Sequence, residues 1–142
     1  MAKRIILNLF LGIILMGISN CKPEVENKLI ERIEKLEREN QLIVQLAELQ
    51  IDPAQLTDYL ALLEEGIRSS VTTEPGVVSL YAMADADNPN RITVVEIYEN
   101  QQAYESHIKS PHFLKYKNGT IEMVDSLKLT RTKPVVFAAK VE

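Results

Sequence analysis

The chain has 142 residues, 46% hydrophobic and 25% charged, a composition that fits one ordinary globular domain and excludes a multidomain enzyme, a repeat array or a disordered chain. A formal net charge of -4 without any basic stripe excludes the electrostatic footprint of a nucleic-acid binder. One cysteine and two histidines cannot build a disulfide framework, a cysteine zinc site or a three-histidine centre, so no metal is expected.

The first element is an address. Lys3 and Arg4 precede an apolar run of 14 residues from Ile5 to Ile18, and the only cysteine, Cys21, follows directly. A membrane-spanning helix needs about 20 apolar residues, so the run is too short to remain as a span. Residues 1–20 therefore read as a signal peptide. Ile18-Ser19-Asn20-Cys21 resembles a bacterial lipobox, which implies cleavage before Cys21 and a diacylglycerol on its sulfur. The protein is then expected in the bacterial cell envelope, lipid-anchored to a membrane, with several acyl chains holding more durably than one. An uncleaved anchor with a buried cysteine is the alternative.

Residues 21–40 change abruptly to a charged pattern. Glu24/Lys28, Glu31/Lys35 and Glu34/Arg38 are spaced i, i+4 with the acid first, the favourable order on a solvated helix. Leu29, Ile33, Leu36 and Asn40 also follow a heptad-like spacing, so this stalk is either a plain spacer or a pairing seam.

The domain proper runs over residues 41–137, with 138–142 as a tail. Gln41 to Ile51 is apolar on both faces, the pattern of a strand covered on two sides. Asp52-Pro53-Ala54-Gln55 carries the signals of a helix start, and Leu56, Leu60, Leu63, Ile67 and Val71 supply one apolar face up to Pro75-Gly76. Strands are predicted over 77–84 and 91–98, joined by a turn-rich segment. A helix follows over about 101–109. Ser110-Pro111 breaks it and starts another that runs to about Val124. A last strand is expected from Ser126 to about Phe137, or only as far as Pro134.

This order, βαβ then βααβ, predicts an α+β fold: a ferredoxin-like split βαβ with a four-stranded antiparallel sheet and helices on one face. The two-sided first strand requires cover on the second face as well. With no spare helix in the domain, a second copy of the sheet is the economical cover, which predicts a homodimer.

Candidate site residues follow from placement. His112 falls near the start of a helix, where the positive dipole end disfavours imidazolium, and His107 lies on the preceding helix, so both converge on one junction. They serve either chemistry or capping and packing. Glu48 and Glu96 sit on apolar strand faces, where a carboxylate must meet a polar cavity or pair with Arg91, Lys128 or Arg131. Tyr81, Tyr98, Tyr104, Phe113 and Tyr116 suit a flat aromatic pocket or simply the core. A Gly-x-Gly-x-x-Gly or phosphate loop is absent, so nucleotide and flavin binding have no support.

Four stretches, Ala47-Glu48-Leu49, Glu74-Pro75-Gly76-Val77, Glu96-Ile97-Tyr98 and His107-x-x-Ser110-Pro111-His112-Phe113-x-x-Tyr116, together resemble the antibiotic biosynthesis monooxygenase superfamily. The resemblance spans about Ile43 to Pro134 and implies a dimeric α+β barrel. It also implies oxidation of a quinol, hydroquinone or similar phenol by O₂ without metal, flavin or other cofactor. His112 would be the base and His107 its partner or a substrate donor, with Glu48, Glu96 and the five aromatic residues binding a small aromatic substrate. Haem-degrading relatives use a tryptophan, which this chain lacks. Two rival functions stay open: an isomerase on a small hydroxy-ketone of the autoinducer-2 type, and a non-catalytic stress protein that binds an aromatic ligand.

Overall fold

The computed structural model describes residues 28–35 and 41–138. The signal segment, Cys21 and most of the C-terminal tail lie outside the described residues.

Helix α1 covers residues 28–35. The domain then runs β1 (Ile43–Ile51), α2 (Leu56–Thr73), β2 (Val77–Ala84), β3 (Arg91–Tyr98), α3 (Gln101–His107), α4 (Pro111–Thr120) and β4 (Val124–Thr132), with 3₁₀ turns at Pro53–Gln55 and Ile121–Met123. The strands form one antiparallel sheet in the order β2-β3-β1-β4, the ferredoxin-like α+β arrangement expected from the order of elements. Local chemistry explains the boundaries. Asp52 Oδ1 accepts from the Ala54 N–H at 2.9 Å, and Gln55 Nε2 donates back to Asp52 Oδ2 at 3.1 Å, so the turn into α2 is fixed before the helix starts. In the β2–β3 connection, Asp85 Oδ1 accepts from the N–H groups of Asp87 and Asn88, a side chain standing in for a strand partner.

The last two helical segments end earlier than predicted. Helix α3 stops at His107 because the Lys109 N–H turns back to Ser106 O and the Ser110 N–H to His107 O, closing the chain two residues before the predicted end. Strand β4 starts at Val124 and ends at Thr132, short of Pro134, which has no N–H to give to the ladder.

Strand parity divides the sheet into two chemically distinct faces. Gln45, Ala47 and Leu49 pair with Glu96, Val94 and Ile92 and point with them toward α2 and α4. There Ala47, Leu49, Ile51, Ile92 and Val94 enclose Tyr59 and Leu63 of α2. Each fully buried large apolar side chain contributes about 1.5–3 kcal/mol. A hydrogen bond of 2.8 Å between the Tyr59 and Tyr116 hydroxyls ties α2 to α4.

The opposite face carries Val44, Leu46 and Glu48 beside Ile97, Val95 and Thr93. Part of it is covered from within the chain. Leu29 and Ile33 of α1 pack against Val44, Val78 and Ile97, joined by Phe137. Arg32 reinforces the contact by donating from Nε to Glu99 Oε1 at 3.0 Å and by bonding the Pro75 carbonyl. Residues 28–35 are thus helical as predicted, but they do not stand free of the domain. This corrects the expectation that no helix was available for the second face, for an apolar i, i+4 pair buries itself on a sheet as readily as on another helix. Farther along the same face Tyr81 and Met83 remain half exposed. No helix among the described residues is long and apolar enough to cross a membrane.

Candidate active site

Three helix ends meet at one carboxylate. Glu74 caps the C-terminus of α2 in extended backbone, its N–H returning to Ser70 O at 3.0 Å, so its side chain leaves the helix axis toward the α3–α4 junction. Gly76 lets this segment approach α3, since a Cβ there would run into Ala103 Cβ. His107 is the last residue of α3, and His112 is the second of α4, whose start is set by Ser110 accepting from the Phe113 N–H at 3.3 Å. Glu74 Oε1 lies 2.9 Å from His107 Nδ1 and 2.5 Å from His112 Nε2.

One carboxylate oxygen therefore receives two imidazole N–H groups. Burial acts most strongly on Glu74 and would raise its pKa, but the hydrogen bonds and charges of His112 and His107 outweigh it and hold the carboxyl below its ordinary value. With Nδ1 of His107 committed to Glu74, its Nε2 makes no hydrogen bond to the protein among the described residues. The ring is wedged between Tyr98 and Phe113, with centroid distances of 5.2 and 4.9 Å.

His107 lines a cavity of about 600 Å³ enclosed by the sheet, α2 and α4. Part of its wall is polar. Glu96 lies there with its Oε2 accepting from Gln45 Nε2 at 3.0 Å and from the Tyr98 hydroxyl at 3.1 Å. Burial pushes the Glu96 carboxyl above its ordinary value, offset only in part by Tyr98, His107, Gln45 and Arg131. Burial, and then Glu96 itself, push the Tyr98 phenol upward, so that phenol stays a donor. The Arg131 guanidinium stacks 4.1 Å from the centre of the Tyr104 ring. The remaining walls are largely apolar and run from Ala47 and Leu49 toward Leu127 and Leu129.

The predicted site residues separate into three groups. His107, Glu96, Tyr104, Phe113 and Tyr116 come together around the cavity. Tyr98 is fully buried below it and acts through Glu96 and His107. His112 is not among the lining residues and is joined to the lining residue His107 by the Glu74 oxygen that both rings share. Glu48 and Tyr81 fall on the opposite sheet face. Glu48 pairs there with Lys128 at 2.9 Å, and Tyr81, paired with Val95, is 54% exposed. Both corrections have one cause: an apolar strand gives no sign of which parity faces the helices. Cys21 lies outside the described residues.

Glu74 and Gln45 received no role from the sequence. The signals for Glu74 were its place between a helix end and Pro75-Gly76 and its membership of the Glu74-Pro75-Gly76-Val77 stretch that carries the family resemblance. By residue type, Glu74, His107 and His112 could also hold a divalent ion, their ligand atoms lying within 4.8 Å of one another. In the arrangement described, those atoms meet as hydrogen bonds.

Comparison with known proteins agrees with this fold. The sequence profile of the antibiotic biosynthesis monooxygenase family matches residues 42–119. A crystal structure from Bacteroides thetaiotaomicron, of a protein assigned to the antibiotic biosynthesis monooxygenases, is 44% identical with a TM-score of 0.69, the match covering 72% of this chain and 98% of that one. A protein from Lactobacillus acidophilus assigned as a monooxygenase is 26% identical with a TM-score of 0.63, over 64% of this chain and 43% of that one. The fold recurs in a Mycobacterium tuberculosis protein at 24% identity and a TM-score of 0.62, over 69% of this chain and 99% of that one. No curated protein matches. With more than half its length in the family profile and a close structural relative spanned almost end to end, the chain belongs to the antibiotic biosynthesis monooxygenase family and is a small-molecule monooxygenase-like domain.

Proposed function

We propose that the protein oxidises a quinol, hydroquinone or similar phenol with O₂, without metal or flavin. The observation that carries this reading is His107: one ring nitrogen is bound by Glu74, and the other is free at the polar part of the wall of an apolar cavity. A carboxylate on Nδ1–H holds the tautomer in which Nε2 has the lone pair, the state a general base needs. His107 takes the phenolic proton, and Glu74 stabilises the imidazolium that forms. The electron-rich anion gives one electron to O₂, and the resulting radical pair joins in a carbon–oxygen bond. The peroxide then loses water: the O–O bond breaks, the ring C–H proton and the proton on His107 leave with the distal oxygen, and a carbonyl remains on the ring. One oxygen atom enters the product and one becomes water, so hydroquinone and O₂ give hydroxyquinone and water. Glu96 and Gln45 orient the substrate hydroxyls, while Tyr104, Phe113 and Tyr116 hold the ring.

The test is oxygen uptake by the purified protein against a panel of quinols and catechols with metals chelated. One O₂ consumed per quinol converted supports the reading. Absence of uptake across the panel defeats it, and conversion of a hydroxy-ketone under argon favours an isomerase instead.

The protein is also proposed to be lipid-anchored through Cys21 in a bacterial cell envelope and to form a homodimer through the part of the second sheet face left open by α1, where Tyr81 and Met83 are half exposed. Cys21→Ala should abolish metabolic labelling with palmitate. Equal labelling of both forms would refute the anchor.

A further inference from the structure

The cavity is larger than an aromatic head requires and changes character along its length. An apolar cavity of about 150 Å³ accommodates benzene, whereas this one measures about 600 Å³. Gln45, Glu96 and His107 stand together in its wall, Gln45 and His107 buried, while the hydroxyls of Ser70 and Thr120, which also line it, are spent on the Gly66 and Tyr116 carbonyls. From Gln45 to Leu49 the cavity follows four residues of β1, about 13 Å at the rise of a strand, and the walls become aliphatic. At the far end it opens between Leu127 and Leu129 of β4 and Ile121, which are 54%, 52% and 61% exposed. The rim also carries Lys117 and Asp125.

A buried polar cluster, an apolar run and an exposed aliphatic rim form the negative image of an amphiphile. We infer that the substrate is a quinol bearing an alkyl or isoprenoid tail, its hydroxyls at His107 and Glu96 and its tail leaving the cavity over Leu127 and Leu129. The inference rests on the quinol reading above and names its substrate class. It explains why β4 keeps two large leucines at half exposure on the helix-side face: the tail completes the burial that the sheet edge leaves unfinished.

Binding of the oxidised quinones tests the tail apart from the chemistry, since quinones bind without consuming O₂. The full protein in phosphatidylcholine nanodiscs is titrated with 2-methyl-1,4-naphthoquinone and with the same head carrying one or two isoprene units, followed by tyrosine fluorescence. Two isoprene units should tighten binding by at least about tenfold, a small part of what full burial of ten carbons would give. Leu127→Asp with Leu129→Asp should reduce that gain below about threefold and leave the tail-less quinone within about twofold. This comparison cancels partitioning of ligand into the lipid. If the aspartates unfold the protein, Leu129→Trp blocks the outlet by bulk and gives the same contrast.

A tail that adds no affinity, or a gain that survives both kinds of variant, overturns the inference. So does conversion of a dimer to monomer by the leucine substitutions in sedimentation, which would mean that a second copy covers these residues. Tail-dependent binding without oxygen uptake would instead sink the oxygenase reading alone.

Discussion

His107 Nδ1 lies 2.9 Å from Glu74 Oε1 although 33 positions separate the two residues in sequence. The pair sets the hierarchy of the site. Removing the base itself, His107→Ala, should lower kcat/KM for quinol oxidation by about 10²–10⁴. Glu74→Gln keeps the volume but offers an amide that no longer fixes the tautomer, and a loss of about 10² is expected. If His112 acts through Glu74 as a positioning residue, as the proposed mechanism has it, His112→Ala should cost only about tenfold. Steady-state kinetics with a single quinol checks the ranking, and a larger loss in the His112 variant than in the His107 variant would restore His112 as the base.

The two carboxylates of the site should give stability of opposite pH dependence. Glu74 is held below its ordinary value of 4.5, so its contribution is present above that pH and is lost as pH falls through the lowered pKa. Glu96 is raised above 4.5, so its ionisation costs stability as pH climbs through the raised pKa. Glu96→Gln can still accept from Tyr98 and Gln45. Its Tm should exceed that of the wild type at neutral and higher pH, and the gap should close toward pH 4 or so, whereas Glu74→Gln should be the less stable protein at neutral pH. Thermal melts across this range decide, and parallel curves for Glu96→Gln and the wild type would rule out the buried-acid account.

Glu48 and Tyr81 belong to the second sheet face, and their substitution should leave catalysis alone. The Glu48–Lys128 pair is substantially solvated, with side-chain exposures of 45% and 73%, so Glu48→Ala should cost no more than about 1 kcal/mol. Tyr81→Asp with Met83→Asp should leave cavity binding intact and shift sedimentation toward monomer. A hundredfold drop in turnover for Glu48→Ala would return that residue to the site.

Gly76 is a packing position rather than a hinge. Its Cβ would meet Ala103, so Gly76→Ala must push α3 from the α2–β2 connection, at a cost of about 1–3 kcal/mol. Because the shift separates Glu74 from His107, activity should fall together with Tm. Undiminished turnover in a destabilised variant would show that the junction tolerates the displacement.

The strands β2 and β3 were legible to the residue because each combines β-branched and aromatic residues with strong turn signals on both sides. The junction at Ser110-Pro111 was equally legible, and with it the approach of the two histidines. Which histidine meets the cavity was not, because that depends on Glu74, 33 and 38 positions away and brought in by the end of α2. The two faces of β1 could not be told apart, since Val44 and Leu46 on one side match Ala47 and Leu49 on the other. Leu29 and Ile33 posed the same ambiguity at the level of partners, for a sheet and a second helix both bury an i, i+4 pair.

The wedge of rings around His107 has a consequence in time as well as in space. An imidazole held between Tyr98 and Phe113, with Nδ1 fastened to Glu74, cannot turn over by side-chain rotation within the picoseconds to nanoseconds of an exposed ring. Exchange of its two nitrogens has to wait for the α3–α4 junction to loosen, an event of microseconds or slower. In the proposed reaction His107 would therefore have a single port. A proton taken from the substrate on Nε2 would have to leave by the same atom to the departing oxygen, so uptake and release would follow one another at one nitrogen and could not run in parallel.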